Sequence, residues 1–176
     1  MRFTPLTIPG AYVIDLEPIA DNRGSFARSF CANEFGAQGL RTEFPQPSRS
    51  QNLKKGTLRG MHWQEAPHAE AKVVTCVRGG VYDVCLDLRR DSPAYLKWYG
   101  VELTDENRRQ LYIPEGCAHG FQALTDNAEI SYLISTFWAP DAARGARFDD
   151  PAFKIEWPLP VTEMSEKDRG WPAWTA

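Results

Sequence analysis

A chain of 176 residues with 43% hydrophobic and 24% charged side chains can bury one core, and its composition excludes a disordered or fibrous protein. The formal net charge of −3, with both signs interspersed, leaves no broad positive face for nucleic acid or an anionic membrane, so an anionic small molecule would need a locally basic pocket. No apolar run reaches the length of a signal peptide or a membrane span, and the expectation is one cytoplasmic domain over residues 1–176. Cys31, Cys76, Cys85 and Cys117 lack the close paired spacing of a zinc site and read as buried reduced thiols.

Along the chain, short β-prone stretches are punctuated by Gly, Pro and Asn, and long helical periodicity is scarce. Strands are expected at Tyr12 to Leu16, Thr57 to Gln64, Lys72 to Arg78, Val81 to Leu88, Trp98 to Leu103, Gln110 to Ile113, Gly120 to Leu124 and Ile130 to Ser135. That set suits an all-β jelly roll or barrel. Peripheral helical pieces are expected around Asn33 to Gln38, stopped by Gly39, and near Ser165 to Asp168, and the tail from Trp157 onward should pack as irregular structure.

Gly79-Gly80 reads as the two-residue loop of a hairpin. Arg78 would then face Val81, Cys76 would face Asp83, Val74 would face Cys85 and Lys72 would face Asp87. The opposite face, with Val73, Thr75, Val77, Tyr82, Val84, Leu86 and Leu88, is fit for packing. The mixed face carrying Lys72 and Asp83 either meets solvent or lines a ligand cavity.

Two segments carry candidate chemistry. In Gly56-Thr57-Leu58-Arg59-Gly60-Met61-His62-Trp63-Gln64, strict alternation would turn Arg59 and His62 to opposite faces. Both reach one cavity only if the strand is bulged, and Gly60 is where a bulge costs least. The second segment, Pro114-Glu115-Gly116-Cys117-Ala118-His119, has the Pro-x-Gly-x-x-His spacing of the second motif of cupin barrels. Metal-binding cupins supply a His-x-His pair in their first motif, whereas this chain reads His62-Trp63-Gln64, and its one remaining histidine, His68, lies in a polar loop. No catalytic metal is expected from so few imidazoles.

Five ordered motifs together resemble the dTDP-4-dehydrorhamnose 3,5-epimerase family: Asp21-x-Arg23-Gly24-x-Phe26, Gly56-Thr57-Leu58-Arg59-Gly60-Met61-His62-x-Gln64, Gly116-x-Ala118-His119-Gly120-Phe121, Asp149-Asp150-Pro151 with Trp157-Pro158, and Ser165-x-Lys167-Asp168. The resemblance implies a cupin-type jelly roll without a cofactor, a nucleotide-sugar substrate, and a homodimer whose N-terminal region reaches the partner's site. It assigns His62 as the base, Asp168 as the carboxylate that orients it, Tyr132 as the acid and Lys72 as the cation beside the enolate oxygen. Arg23, Gln46 and Arg59 would hold the nucleotide and diphosphate, with His119 and Asp83 completing the polar lining. A base with a pKa near neutrality and a charge fixed in a dry cavity suit proton removal beside a ketone.

The chain departs from the family's pattern at three places. Phe137 and Trp138 stand where many members have a tyrosine that helps control the course of epimerisation; Trp138 can stack on a ring but offers no phenolic proton. Arg28 replaces a common glutamate and Ser48 a common asparagine. A double epimerase therefore competes with a single-position 3- or 5-epimerase on another nucleotide-linked 4-keto sugar, such as a GDP-linked or heptose one, with a sugar-nucleotide binding cupin lacking activity, and last with a metal-dependent oxygenase.

Overall fold

The computed structural model describes residues 1–175. In chain order its elements are β1 (Arg2–Pro5), β2 (Tyr12–Asp15), β3 (Ile19–Asp21), β4 (Gly24–Phe26), α1 (Ala32–Ala37), β5 (Ser48–Asn52), β6 (Leu58–Gln64), β7 (Lys72–Arg78), β8 (Gly80–Asp87), β9 (Trp98–Thr104), β10 (Gln110–Ile113), β11 (Cys117–Ala123), β12 (Ala128–Ile134), β13 (Ala143–Gly145) and α2 (Glu166–Arg169). The strands form a six-stranded sheet in the order β1-β2-β10-β7-β12-β5 and a five-stranded sheet in the order β13-β6-β11-β8-β9, with β3 and β4 apart as a hairpin. Every named strand pair is antiparallel, and the two sheets enclose a common core, which is the expected cupin-type jelly roll. No helix among the described residues is long and apolar enough to cross a membrane.

Alternation along the strands sorts side chains into three packed layers. Val74 and Cys76 of β7 meet Val81 and Cys85 of β8, together with Leu111, Phe121 and Ile130, between the sheets. Val73 points the other way, into an outer cluster with Ile14, Phe35 of α1 and Tyr112. On the far side of the five-stranded sheet Val84 and Leu86 lie under Phe153, Trp157 and Trp174, so the Trp-rich tail is a cover over β8 and β11. Its irregular backbone is tied down by bonds such as Trp157 Nε1–H to the Phe148 carbonyl, 2.9 Å.

The Gly79-Gly80 hairpin does not form. β7 pairs with β10 and β12 while β8 pairs with β9 and β11, so none of the four expected cross-strand pairs exists. The glycines carry the chain from one sheet to the other: Gly79 N–H donates to Asp105 and Gly80 N–H to Thr125 Oγ1, both in neighbouring connections. A turn residue sets how sharply the chain reverses, but the hydrogen-bonding partners decide which sheet receives the next strand. Alternation holds within each strand, but the faces are used differently from the expectation: Lys72 of the mixed face does line the cavity, yet Val74, Cys76, Val81 and Cys85 on it form the core between the sheets, while the other face splits between two outer clusters and leaves Val77 exposed.

Strands β1, β3, β4, β5 and β13 went unexpected because they are short and lack apolar alternation; β5 reads Ser-Arg-Ser-Gln-Asn and is held as an edge by backbone pairing to β12. The expected β11 start at Gly120 is extended back to Cys117, which puts His119 inside a strand.

The bulge expected in β6 is present. His119 faces His62 and Phe121 faces Arg59, so two steps along β11 match three along β6. Gly60 adopts φ +116°, and a Cβ there would lie 2.6 Å from Gly120 Cα and 2.7 Å from the His119 carbonyl oxygen. Gly60→Ala is expected to destabilise the fold by at least ~1–3 kcal/mol from backbone strain; a urea midpoint equal to the wild type would contradict this.

Candidate active site

The bulged β6 and the six-stranded sheet open a cavity of about 640 Å³ at one end of the jelly roll. Gln46, Arg59, His62, Lys72, His119, Tyr132, Trp138 and Asp168 all line it. They arrive from both walls: Arg59, His62 and His119 from the five-stranded sheet, Lys72 and Tyr132 from the six-stranded one. Asp83 sits just beneath, fully buried, and supports the lining without forming it.

A short polar contact joins His62 Nε2 to Asp168 Oδ1 at 2.6 Å, and the Gly60 N–H donates to Asp168 Oδ2 at 3.3 Å. Asp168 belongs to α2, whose first turn is capped by Ser165 Oγ accepting from the Asp168 N–H. Asp168 is only 4% exposed, whereas the His62 side chain is 42% exposed toward the cavity. Burial alone would raise the Asp168 carboxyl, but the hydrogen bond and charge of His62, with the Gly60 N–H, hold it below the usual carboxylate range. With Nε2 on the carboxylate, Nδ1 is the nitrogen left to meet a ligand.

A second imidazole–carboxylate pair lies deeper. His119 Nε2 is 2.7 Å from Asp83 Oδ1, while Asp83 Oδ2 is buried with no hydrogen-bond partner among the described residues. The His119 ring meets Tyr132 edge-on, with centroids 6.0 Å apart. Tyr132 itself is hydrogen-bonded to Ser50 Oγ at 2.9 Å. Burial pushes its phenol well above the ordinary tyrosine value, with the Ser50 bond opposing only part of that, so the hydroxyl keeps its proton through the physiological range. Lys72 Nζ contacts Glu70 Oε1 at 2.8 Å, both side chains 11% exposed.

The rim is more open and more basic. Arg59 is held by Asn52 Oδ1 at 2.7 Å and by the Gln51 carbonyl, and the Lys167 ammonium lies 5.4 Å from the centre of the Trp171 ring. These two cations have no carboxylate partner among the described residues, which suits a phosphate-bearing ligand. Gln46 Oε1 accepts from the Trp138 backbone N–H at 2.9 Å, and Trp138 is 63% exposed at the mouth. Arg23 is not brought into this cavity. It sits on the β3–β4 hairpin, bound to Asp21 at 2.5 Å and 85% exposed. Ser48 lines the cavity, whereas Arg28 pairs with Glu34 at 2.8 Å away from it.

Ser50, Gln64, Glu70, Arg144 and Lys167 also line the cavity and were not among the residues expected there. Two of them had a readable signal: Glu70 lies two residues before Lys72, the spacing of side chains on one side of an extended chain, and Lys167 adjoins Asp168. Ser50 and Arg144 lie on polar edge strands with no periodicity to mark them. Among the described residues no group of three or more His, Cys, Asp or Glu side chains is placed to hold a metal ion.

Residues 5–176 match the family model described as dTDP-4-dehydrorhamnose 3,5-epimerase. A relative of that name from Shigella flexneri is 43% identical, the match covering 96% of this chain and 93% of the relative. A protein named dTDP-4-dehydrorhamnose 3-epimerase from Streptomyces niveus is 39% identical over 96% of this chain and 82% of its own length. The crystal structure of dTDP-4-dehydrorhamnose 3,5-epimerase from Elizabethkingia anophelis superimposes with a TM-score of 0.95 at 37% identity, covering 99% of this chain and 96% of that one.

Because its folded-state pKa is depressed, Asp168 stabilises the fold above the unfolded carboxyl value of about 3.9 and loses that contribution as pH falls through the folded value. Asp168→Asn should therefore be less stable than wild type at neutral pH, by about 1–3 kcal/mol. The gap should close in acid; a gap that stays constant or widens below about pH 4 would contradict the pairing.

Proposed function

The chain belongs to the dTDP-4-dehydrorhamnose 3,5-epimerase family, and from that membership we propose that it epimerises a dTDP-linked 4-keto-6-deoxy sugar in deoxysugar and polysaccharide synthesis. The observation that carries the proposal is the opposition of two proton-transfer groups across one cavity, His62 with Asp168 on one sheet and Tyr132 on the other. Epimerisation removes a proton from a carbon acidified by the neighbouring ketone and returns one to the opposite face, which requires a base and an acid on different sides of the ring.

In this reading His62 Nδ1 takes the proton, Asp168 stabilises the imidazolium that results, and electron density moves onto the ketone oxygen. Lys72 meets that oxygen with a charge already fixed in place by Glu70, so little reorganisation accompanies the charge shift. Tyr132, kept protonated by burial, then protonates carbon from its own side. His119, against the Tyr132 edge and held by Asp83, keeps that wall polar and rigid. Arg59 and Lys167 take the diphosphate, and Gln46 and Trp138 border the nucleotide or sugar at the mouth. The group transfers are acid–base steps alone, and neither a metal nor an organic cofactor enters them.

We also propose that the active form is a homodimer acting in the cytoplasm, with residues 1–176 forming one domain. Ile19 and Phe26 face each other across the β3–β4 hairpin at 76% and 75% exposure, an apolar pair on a two-stranded ribbon that also carries Arg23. Such a ribbon is poorly stable alone, and a partner subunit's cavity would bury the pair while bringing Arg23 to a phosphate. Four free cysteines suit a reducing compartment, three of them buried as expected and Cys31, at the start of α1, only partly so.

A single-position 3-epimerase is the second reading. Trp138 offers no phenol where many family members have one, and the relative from Streptomyces niveus bears the 3-epimerase name. Proton NMR in deuterium oxide separates the two, because each inverted carbon exchanges its hydrogen. Deuterium should wash into both C3 and C5 of dTDP-4-keto-6-deoxyglucose; exchange at C3 alone would select the second reading, and at neither would overturn both. His62→Asn should slow exchange at least ~10²-fold with the fold intact, and exchange at the wild-type rate would refute its role. Phe26→Asp should shift the protein to a monomer by light scattering and raise KM; an unchanged dimer with unchanged KM would reject the hairpin's part in the partner's site.

A further inference from the structure

One buried side chain touches both halves of the cavity without being assigned to either. Gln64, at the end of β6, is 3% exposed and uses its whole amide. Its Nε2 shares two hydrogens among three acceptors, Glu70 Oε2 at 3.1 Å, the His68 carbonyl at 3.0 Å and the Phe137 carbonyl at 3.3 Å. Its Oε1 accepts from the Ala139 N–H at 2.6 Å. Glu70 passes the connection on, since its other oxygen holds Lys72 Nζ at 2.8 Å. On the loop side, residues 137 and 139 are the two neighbours of Trp138, whose own N–H is held by Gln46. A single amide thus fixes the lysine arm at the floor and the loop at the mouth.

We propose that Gln64 is a positioning residue that sets the distance between the Lys72 ammonium and the Trp138 loop, and so aligns the sugar's ketone with Lys72. The inference rests on the epimerase reading of the same cavity. Neutrality is essential to the role. An amide can donate to a carboxylate and to carbonyls with one end while accepting from an N–H with the other. A carboxylate of the same shape would keep the acceptor for Ala139, lose the donors, and set a second negative oxygen against Glu70. Glu70 would then turn away or share a proton with it, and in either case its grip on Lys72 changes. Supporting residues of this kind affect the reacting geometry more than ligand affinity, because their polar atoms are spent on other protein groups.

The test is a pair of near-isosteric variants assayed with dTDP-4-keto-6-deoxyglucose. Gln64→Glu should lower kcat about 10- to 100-fold while KM stays within about threefold, and should alter the ratio of deuterium wash-in at C3 and C5. Adding Glu70→Gln to that background restores an amide–carboxylate pair in reversed order, with the carbonyl of the introduced amide placed for Lys72, and should recover at least about fivefold of the lost kcat. Gln64→Met, which removes the polar contacts without adding charge, serves if Gln64→Glu does not fold, and should show the same kcat loss and altered ratio. The inference is overturned if the folded single variants keep kcat and the C3-to-C5 ratio within about twofold of wild type, or if the reversed pair recovers nothing while unfolding at the wild-type temperature. Wild-type protein that exchanges neither carbon overturns the epimerase reading and this inference together, whereas wild-type exchange with indifferent Gln64 variants overturns the inference alone.

Discussion

The contact between His62 and Asp168 joins two parts of the chain separated by 106 positions, and the site depends on it. His62 sits on a central strand, while Asp168 sits on a one-turn helix that has little reason to form in isolation. That helix is held because Ser165 caps it, because the carboxylate takes a hydrogen bond from the Gly60 N–H as well as from the imidazole, and because the tail around it covers Val84 and Leu86. The cover of the outer core and the orienting partner of the imidazole are therefore one segment. Loss of tail packing would misplace Asp168 before it unfolded the sheets.

The second constraint is that a jelly roll has two walls. Proton transfer to opposite faces of a ring needs groups on opposite sides, and two sheets supply that separation without special loops. The bulge at Gly60 adds the one adjustment that regular strands cannot make, turning Arg59 and His62 toward the same space. Gly120 across the ladder allows the close approach, since a Cβ there would also meet Met61 Sδ at 2.5 Å. Backbone and side-chain roles are thus hard to separate at this point of the fold.

Much of this was legible in the residues. The alternation in β7 and β8 marked which side chains share a face, though not that Val74, Cys76, Val81 and Cys85 would form the core, and Gly60 between Arg59 and His62 announced the bulge, because both follow from the geometry of a single strand. Pairing was not legible: Gly79-Gly80 looks the same whether the next strand returns beside its neighbour or crosses to the other sheet, and that choice lies with Asp105 and Thr125, distant in sequence. For the site, the titratable residues could be named from their motifs, while their supports could not. Ser50 beneath Tyr132 and Asn52 beside Arg59 sit on an edge strand whose composition resembles a loop. Arg23 shows the opposite case: its motif marks it, yet within one chain it points to solvent beside Asp21.

Asp168 holds the Nε2 side of His62 and leaves Nδ1 to act as the base. Nitrogen-15 NMR of the imidazoles, which distinguishes the two ring nitrogens, tests it most directly. The neutral His62 ring should carry its proton on Nε2 in the wild type, with that preference weakened in Asp168→Asn. A His62 ring protonated on Nδ1, or one whose tautomer is indifferent to Asp168, would contradict the account.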